Sequence, residues 1–90
     1  MKMIQLQYFK AVAETNKISE AAKRMNVTPS AISIAINNLE CELGVRLFDR
    51  TPVSVSLNNA GRVYLETVNR VFDTLGEAEE ELRKMTVVHQ

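Results

Sequence analysis

Between Met25 and Pro29 the chain has only the three residues Asn26, Val27 and Thr28 in which to stop one helix and start the next. Asn tolerates the left-handed conformation in which many helices end. Thr28 has the hydroxyl of a good N-cap, and Pro29 suits a first helical position, where its missing N–H costs nothing. A corner this short forces the two helices into contact at a steep angle, the arrangement of a helix-turn-helix. The flanking sequence agrees. Before the corner, Ser19 is a candidate cap and Ala21, Ala22 and Met25 form the inward face of a helix of about two turns. After it, Ile32, Ala35, Ile36, Leu39 and Leu43 are spaced by three and four, and Gly44 supplies the stop. Small alanines stand where the two helices would cross. On this pattern alone, a generic three-helix bundle remains open beside the helix-turn-helix.

Upstream, the segment IQLQYFKAVAET carries Leu6, Phe9, Val12 and Ala13 at helical spacing and ends near Asn16, so a first helix precedes the pair. Downstream of Gly44 the period changes. Leu47 and Phe48 form an apolar anchor, and RTPVSVSLN alternates Val53, Val55 and Leu57 with Ser54 and Ser56, which predicts a strand with Thr51 and Pro52 in a turn. A short β-hairpin wing beside the third helix is the expectation. Asn58 then caps a helix predicted to run to about Met85, on the order of 40 Å long. Written as heptads, its two core rows are Gly61, Val68, Leu75 and Leu82, and Tyr64, Val71, Ala78 and Met85. A seam that long predicts packing on another helix, and a second copy of the same helix is the economical partner. The first turns can instead pack on their own domain through Leu65 and Phe72. A solvated helix is the competing reading, because Gly76 interrupts it and GEAEEEL is strongly acidic.

Ninety residues suffice for one small domain, whose modest core makes help from a partner chain plausible. No apolar run approaches the roughly 18 residues of a membrane span, and the N-terminus has no apolar signal core, so a cytoplasmic chain without membrane contact is expected. The single cysteine, Cys41, excludes an internal disulfide and reads as inert. The single histidine, His89, stands in a predicted tail and excludes a His-based triad or a metal cluster. No residue constellation supports an enzyme, and no cofactor is called for. Net charge is zero, but residues 1–57 carry seven Lys and Arg against five Asp and Glu, while residues 58–90 carry four against six. Any anion-binding surface therefore belongs to the first part.

The stretches LQYFKAVAET, ISEAAKRMNVTPSAIS, the pattern from Ile36 to Arg50, and Val55 to Gly61 together resemble the LysR-type bacterial transcriptional regulators, over about Leu6 to Gly61 and in order. The resemblance implies a mainly α fold: a winged helix-turn-helix DNA-binding domain (1–57), a linker helix (58–86) that dimerises antiparallel with its copy, and a tail (87–90). It also implies double-stranded DNA as partner, bound by a homodimer. A small-molecule effector would act only through the family's effector-binding domain, which these residues do not include.

In such a domain the third helix lies in the major groove. The face opposite its apolar stripe presents Ser30, Ile34, Asn37 and Cys41, flanked by Ser33 and Asn38. The candidate base readers are Thr28, Pro29, Ser30, Ser33, Ile34 and Asn37. Asn37 can pair bidentately with adenine and Ile34 can pack on a thymine methyl. The candidate phosphate contacts are Lys23, Arg24, Arg50 and Ser54, with Lys17 and Arg46 nearby. Arg50 has a second role open to it, fixing the wing by pairing with Asp49 or Glu40. Glu40 and Glu42 are expected to repel DNA and tilt that end of the helix away. The candidate dimer contacts are Tyr64, Val68, Val71, Leu75, Ala78, Leu82 and Met85. The family's usual Gln at Pro29, its basic or polar residue at Ile34, its Arg or Lys near Asn37 and Asn38, and its Arg-bearing wing are all missing, so those contacts do not carry over. The rival reading is a helical protein-interaction module on the same fold.

Overall fold

A computed structural model describes residues 1–87 of the chain. Its elements are α1 (Met3–Thr15), α2 (Ile18–Met25), α3 (Pro29–Leu43), β1 (Phe48–Arg50), β2 (Val55–Leu57) and α4 (Asn59–Val87). The tail and His89 lie, from residue 88 onward, outside the described residues.

Local chemistry sets the boundaries. Asn16, Asn26 and Gly44 adopt left-handed conformations with φ of 60°, 58° and 72°, and each ends a helix. Thr28 Oγ1 accepts the Ala31 N–H at 3.2 Å, and Pro29 opens α3. Asn58 Oδ1 accepts the Gly61 N–H at 2.8 Å and caps α4. The cap expected at Ser19 is displaced. The N-cap of α2 is Lys17, whose carbonyl already accepts the Ala21 N–H, and its side chain makes no capping bond. Once Asn16 has turned the chain, the helix restarts immediately.

The core lies where α1, α2, α3 and the base of the hairpin meet. Phe9, Val12, Ala21, Ile32, Ile36 and Leu39 are fully buried there. Phe9 is central: its ring centroid lies 5.5 Å from that of Phe48 and 5.4 Å from that of Tyr64, the latter edge-on, which ties α1 to the wing and to α4.

β1 and β2 form a two-stranded antiparallel hairpin with Phe48 opposite Leu57 and Arg50 opposite Val55. The alternating pattern had extended the strand back to Val53. That residue sits instead in the turn, 81% exposed, while Phe48 serves as both core anchor and strand residue. Asn16 holds the hairpin from the other side, its carbonyl accepting the Val55 N–H and its Nδ2 donating to the Val55 carbonyl, both at 3.1 Å.

The long α4 leaves the domain after its first turns. The Cα radius of gyration is 15.4 Å, against about 12 Å for a compact chain of this length, and the longest extent is 53 Å. Leu65 and Phe72 do pack on the core, as the pattern allowed, and Lys10 Nζ stands 5.6 Å from the Phe72 ring centroid. Beyond Phe72 every residue of α4 through Met85 is exposed.

Candidate nucleic-acid interface

The outer face of α3 is open. Ser30, Asn37, Asn38 and Cys41 are exposed and Ile34 is 61% exposed, whereas Ser33 is half-buried beside them. Thr28 and Pro29 at the start of the helix are exposed as well. An exposed Ile at the centre of a polar helix face has no packing role within the domain.

Arg50 joins the wing to this face. Arg50 Nη2 donates to Asn37 Oδ1 at 3.3 Å and lies 3.5 Å from Glu40 Oε1. Glu40 is only 6% exposed, and its Oε2 accepts the buried Leu47 N–H at 2.7 Å. This corrects the expectation for Glu40. It sits in the inward stripe of α3, three residues before Leu43 and four after Ile36, and fastens the helix to the strand that follows. Its carboxylate is engaged by the Leu47 N–H and by Arg50. Arg46 lies 3.9 Å from the same carboxylate. The pairing with Glu40 that the sequence left open to Arg50 is formed and holds the wing against α3.

The other candidate cations differ in how committed they are. Arg24 is bound to Glu14 at 2.6 Å, so a phosphate would have to displace that carboxylate. Lys23 is 78% exposed and only loosely paired with Glu20, at 3.7 Å. The Ser54 hydroxyl lies 3.0 Å from that of Thr51, inside the turn that the Thr51 N–H closes onto the Ser54 carbonyl. Lys17 and Ser19 line a shallow groove between the start of α2 and the wing, with Arg50, Thr51 and Ser54 on its other side. Glu42 meets the Met1 amino group at 2.6 Å.

Residues 3–62 match the family of bacterial regulatory helix-turn-helix proteins of lysR type. The chain belongs to the LysR family. Among its relatives, the HTH-type transcriptional regulator YybE of Bacillus subtilis (strain 168), itself uncharacterized, is 38% identical over 85 residues, 94% of this chain and 29% of that protein. The regulator ClcR of Pseudomonas putida is 44% identical over 71 residues, 79% of this chain and 24% of that protein. The chain thus spans less than a third of the length of these two regulators. Among solved structures, that of the CbnR_DBD-DNA complex matches with a TM-score of 0.88 at 35% identity, covering 96% of this chain and 99% of that one. The winged helix-turn-helix with a long C-terminal helix is therefore the LysR-family architecture.

Along α4 the structure separates the expected dimer residues into two groups. Val68 is 1% exposed and belongs to the domain's own core, so it has no surface to offer a partner. Tyr64 is half-buried, edge-on to Phe9, with its hydroxyl donating to Met1 Sδ at 3.2 Å. Gly61 is buried, and a Cβ there would lie 2.1 Å from the Leu47 carbonyl oxygen. The heptad rows failed here because an intradomain face and an interchain face have the same helical period. Val71 is half-buried; Leu75, Ala78, Leu82 and Met85 are exposed, the leucines and methionine by 43%, 61% and 60%. Met3, 46% exposed on α1, borders Val71 and Leu75 and extends the apolar surface in a way the heptads alone did not signal.

Among the described residues, no group of three or more His, Cys, Asp or Glu side chains comes together as a metal site. No helix among them is long and apolar enough to cross a membrane.

Proposed function

We propose that residues 1–57 bind duplex DNA sequence-specifically and that residues 58–86 pair two copies, so that two α3 helices meet an interrupted inverted repeat. The observation that carries this reading is the open outer face of α3, on which Ser30, Ile34, Asn37, Asn38 and Cys41 stand without an acidic residue, with Arg50 of the wing bonded to Asn37 and with exposed Lys17 and Lys23 on the neighbouring α2 segment. Likeness to the CbnR_DBD-DNA complex supports it. Ser30, Ser33, Ile34 and Asn37 meet base edges, with Thr28 and Pro29 at the helix start, while Lys23, Arg50 and Ser54 face phosphates and Arg24 joins them on release from Glu14. Leu75, Ala78, Leu82 and Met85, with Val71 and Met3, form the pairing surface. The role is regulatory and not enzymatic, exercised in the cytoplasm where the DNA is, and an effector acts through a domain outside these residues.

Few cations flank α3, so the dimer neutralises about four to six phosphates. Fluorescence anisotropy on labelled duplex DNA tests this. A log–log salt slope of about −4 to −5 is expected. No binding at low salt overturns the reading; a slope equivalent to ten or more phosphates means the contacts lie elsewhere.

A further inference from the structure

Building on the placement of α3 in the groove, we propose that Arg50 is a specificity-positioning residue: it engages the Asn37 side-chain oxygen, so that the unengaged group Asn37 turns to a base edge is its NH₂ and acceptors are favoured. A guanidinium has donors and no acceptor, so the Asn37 atom 3.3 Å from Arg50 Nη2 is the oxygen on chemical grounds. Arg50 is itself fixed. Glu40 Oε1 lies 3.5 Å away, and that carboxylate is anchored by the Leu47 N–H at 2.7 Å in a position 6% exposed. A chain of polar contacts therefore runs from the buried Leu47 amide through Glu40 and Arg50 to the exposed Asn37.

The consequence concerns base choice. Bidentate pairing of Asn with adenine needs the amide oxygen to accept from N6–H₂ while the NH₂ donates to N7. With Arg50 on that oxygen, the adenine donor would have to enter beside the guanidinium N–H groups, positive against positive. Guanine, with acceptors at O6 and N7, and thymine, with O4, suit the free NH₂ group; adenine keeps only N7 for it, and cytosine presents a donor, N4–H₂, and does not suit it. The adenine pairing that Asn alone suggests is thus replaced by an acceptor preference.

The test uses this chain on duplexes varied at the one position whose preference vanishes in Asn37→Ala. For the unmutated chain, guanine is bound at least as tightly as adenine, and cytosine at least ten-fold more weakly. In Arg50→Met the amide is released and the adenine-to-guanine affinity ratio rises five- to ten-fold, a change that loss of a phosphate contact alone does not produce. Asn37→Asp covers the case in which Arg50→Met fails to fold: it keeps the acceptor for Arg50, removes the outward donor, and moves the preference to cytosine. Adenine favoured ten-fold or more by the unmutated chain overturns the proposal. So does an unchanged ratio in folded Arg50→Met, a guanine preference persisting in Asn37→Asp, or an equal loss on all four bases in Asn37→Ala. Absence of any duplex binding by the unmutated chain at low salt overturns the DNA reading itself, and this proposal with it.

Discussion

Two glycines on α4 make opposite demands, and replacing each by alanine measures how that helix is seated. At Gly61 an added Cβ would lie 2.1 Å from the Leu47 carbonyl oxygen and 2.7 Å from Leu57 Cδ2. The first contact is with backbone that the Asn58 N–H also binds, at 3.1 Å, so α4 and the Leu47 segment before β1 must separate by about 1 Å to restore ordinary contact. Overpacking of this kind costs about 1–3 kcal/mol, and stretching the Asn58 bond adds about 1 kcal/mol. The better helix propensity of alanine returns about 1 kcal/mol. Gly61→Ala therefore destabilises by about 1–3 kcal/mol, a fall in melting temperature of roughly 5–20 °C for a domain of this size. At Gly76 nothing lies within 4 Å of the added Cβ, and only the propensity term remains. Gly76→Ala should raise stability by roughly 0.5–1 kcal/mol. Thermal melts followed by circular dichroism, all at one protomer concentration because pairing shifts the midpoint, give both signs. A Gly61→Ala protein melting at or above the unmutated chain would refute the close seating of α4 on Leu47.

Three further outcomes follow from the same geometry. Leu75→Glu places a charge in the exposed apolar stretch of α4 and should give monomers by light scattering with the fold intact by circular dichroism; an undiminished dimer rules out this surface as the pairing site. Glu40→Leu leaves the buried Leu47 N–H without its acceptor and should lower stability by about 1–3 kcal/mol in denaturant titration, with no loss expected only if water replaces the carboxylate. The Tyr64 phenol is held above its ordinary value of 10.0 by burial, reinforced by the nearby Glu42 charge. The unfolded chain therefore loses that proton first: the stabilisation is complete below about pH 10 and drains away as pH rises toward the folded value, so Tyr64→Phe should show a flatter stability profile above about pH 10, and parallel profiles would exclude the effect.

What the sequence disclosed and what it hid divide along physical lines. Helix ends were legible because capping is local chemistry: Asn16, Asn26, Thr28, Asn58 and Gly44 act on atoms within a few residues of themselves. The open face of α3 was equally legible, since a stripe of Ile32, Ile36 and Leu39 determines which side chains point away. Contacts between distant residues were not. The hold of Asn16 on Val55 spans 39 positions and leaves no pattern in either segment. Glu40 was legible in part, because its place among Ile36, Leu39 and Leu43 marks it as inward, but its charge outweighed its spacing. Val68 shows the limit of periodicity, which reports that a face is covered and not what covers it. The face that carries the candidate readers is open, with Ser33 half-buried on it, but the engagement of Asn37 by Arg50 depends on how the wing folds back, and that follows from the hairpin and its Glu40 anchor.

Selection of bound duplexes from a randomised pool tests the central claim most directly, that two paired α3 helices read DNA. The enriched sequences should contain an interrupted inverted repeat with half-sites on one face of the duplex, spaced by about one helical turn or a multiple of it, and Leu75→Glu should lose the repeat while keeping weak half-site preference. A pool with no enrichment, or one enriched for a single unrepeated site bound by one copy, would contradict the account.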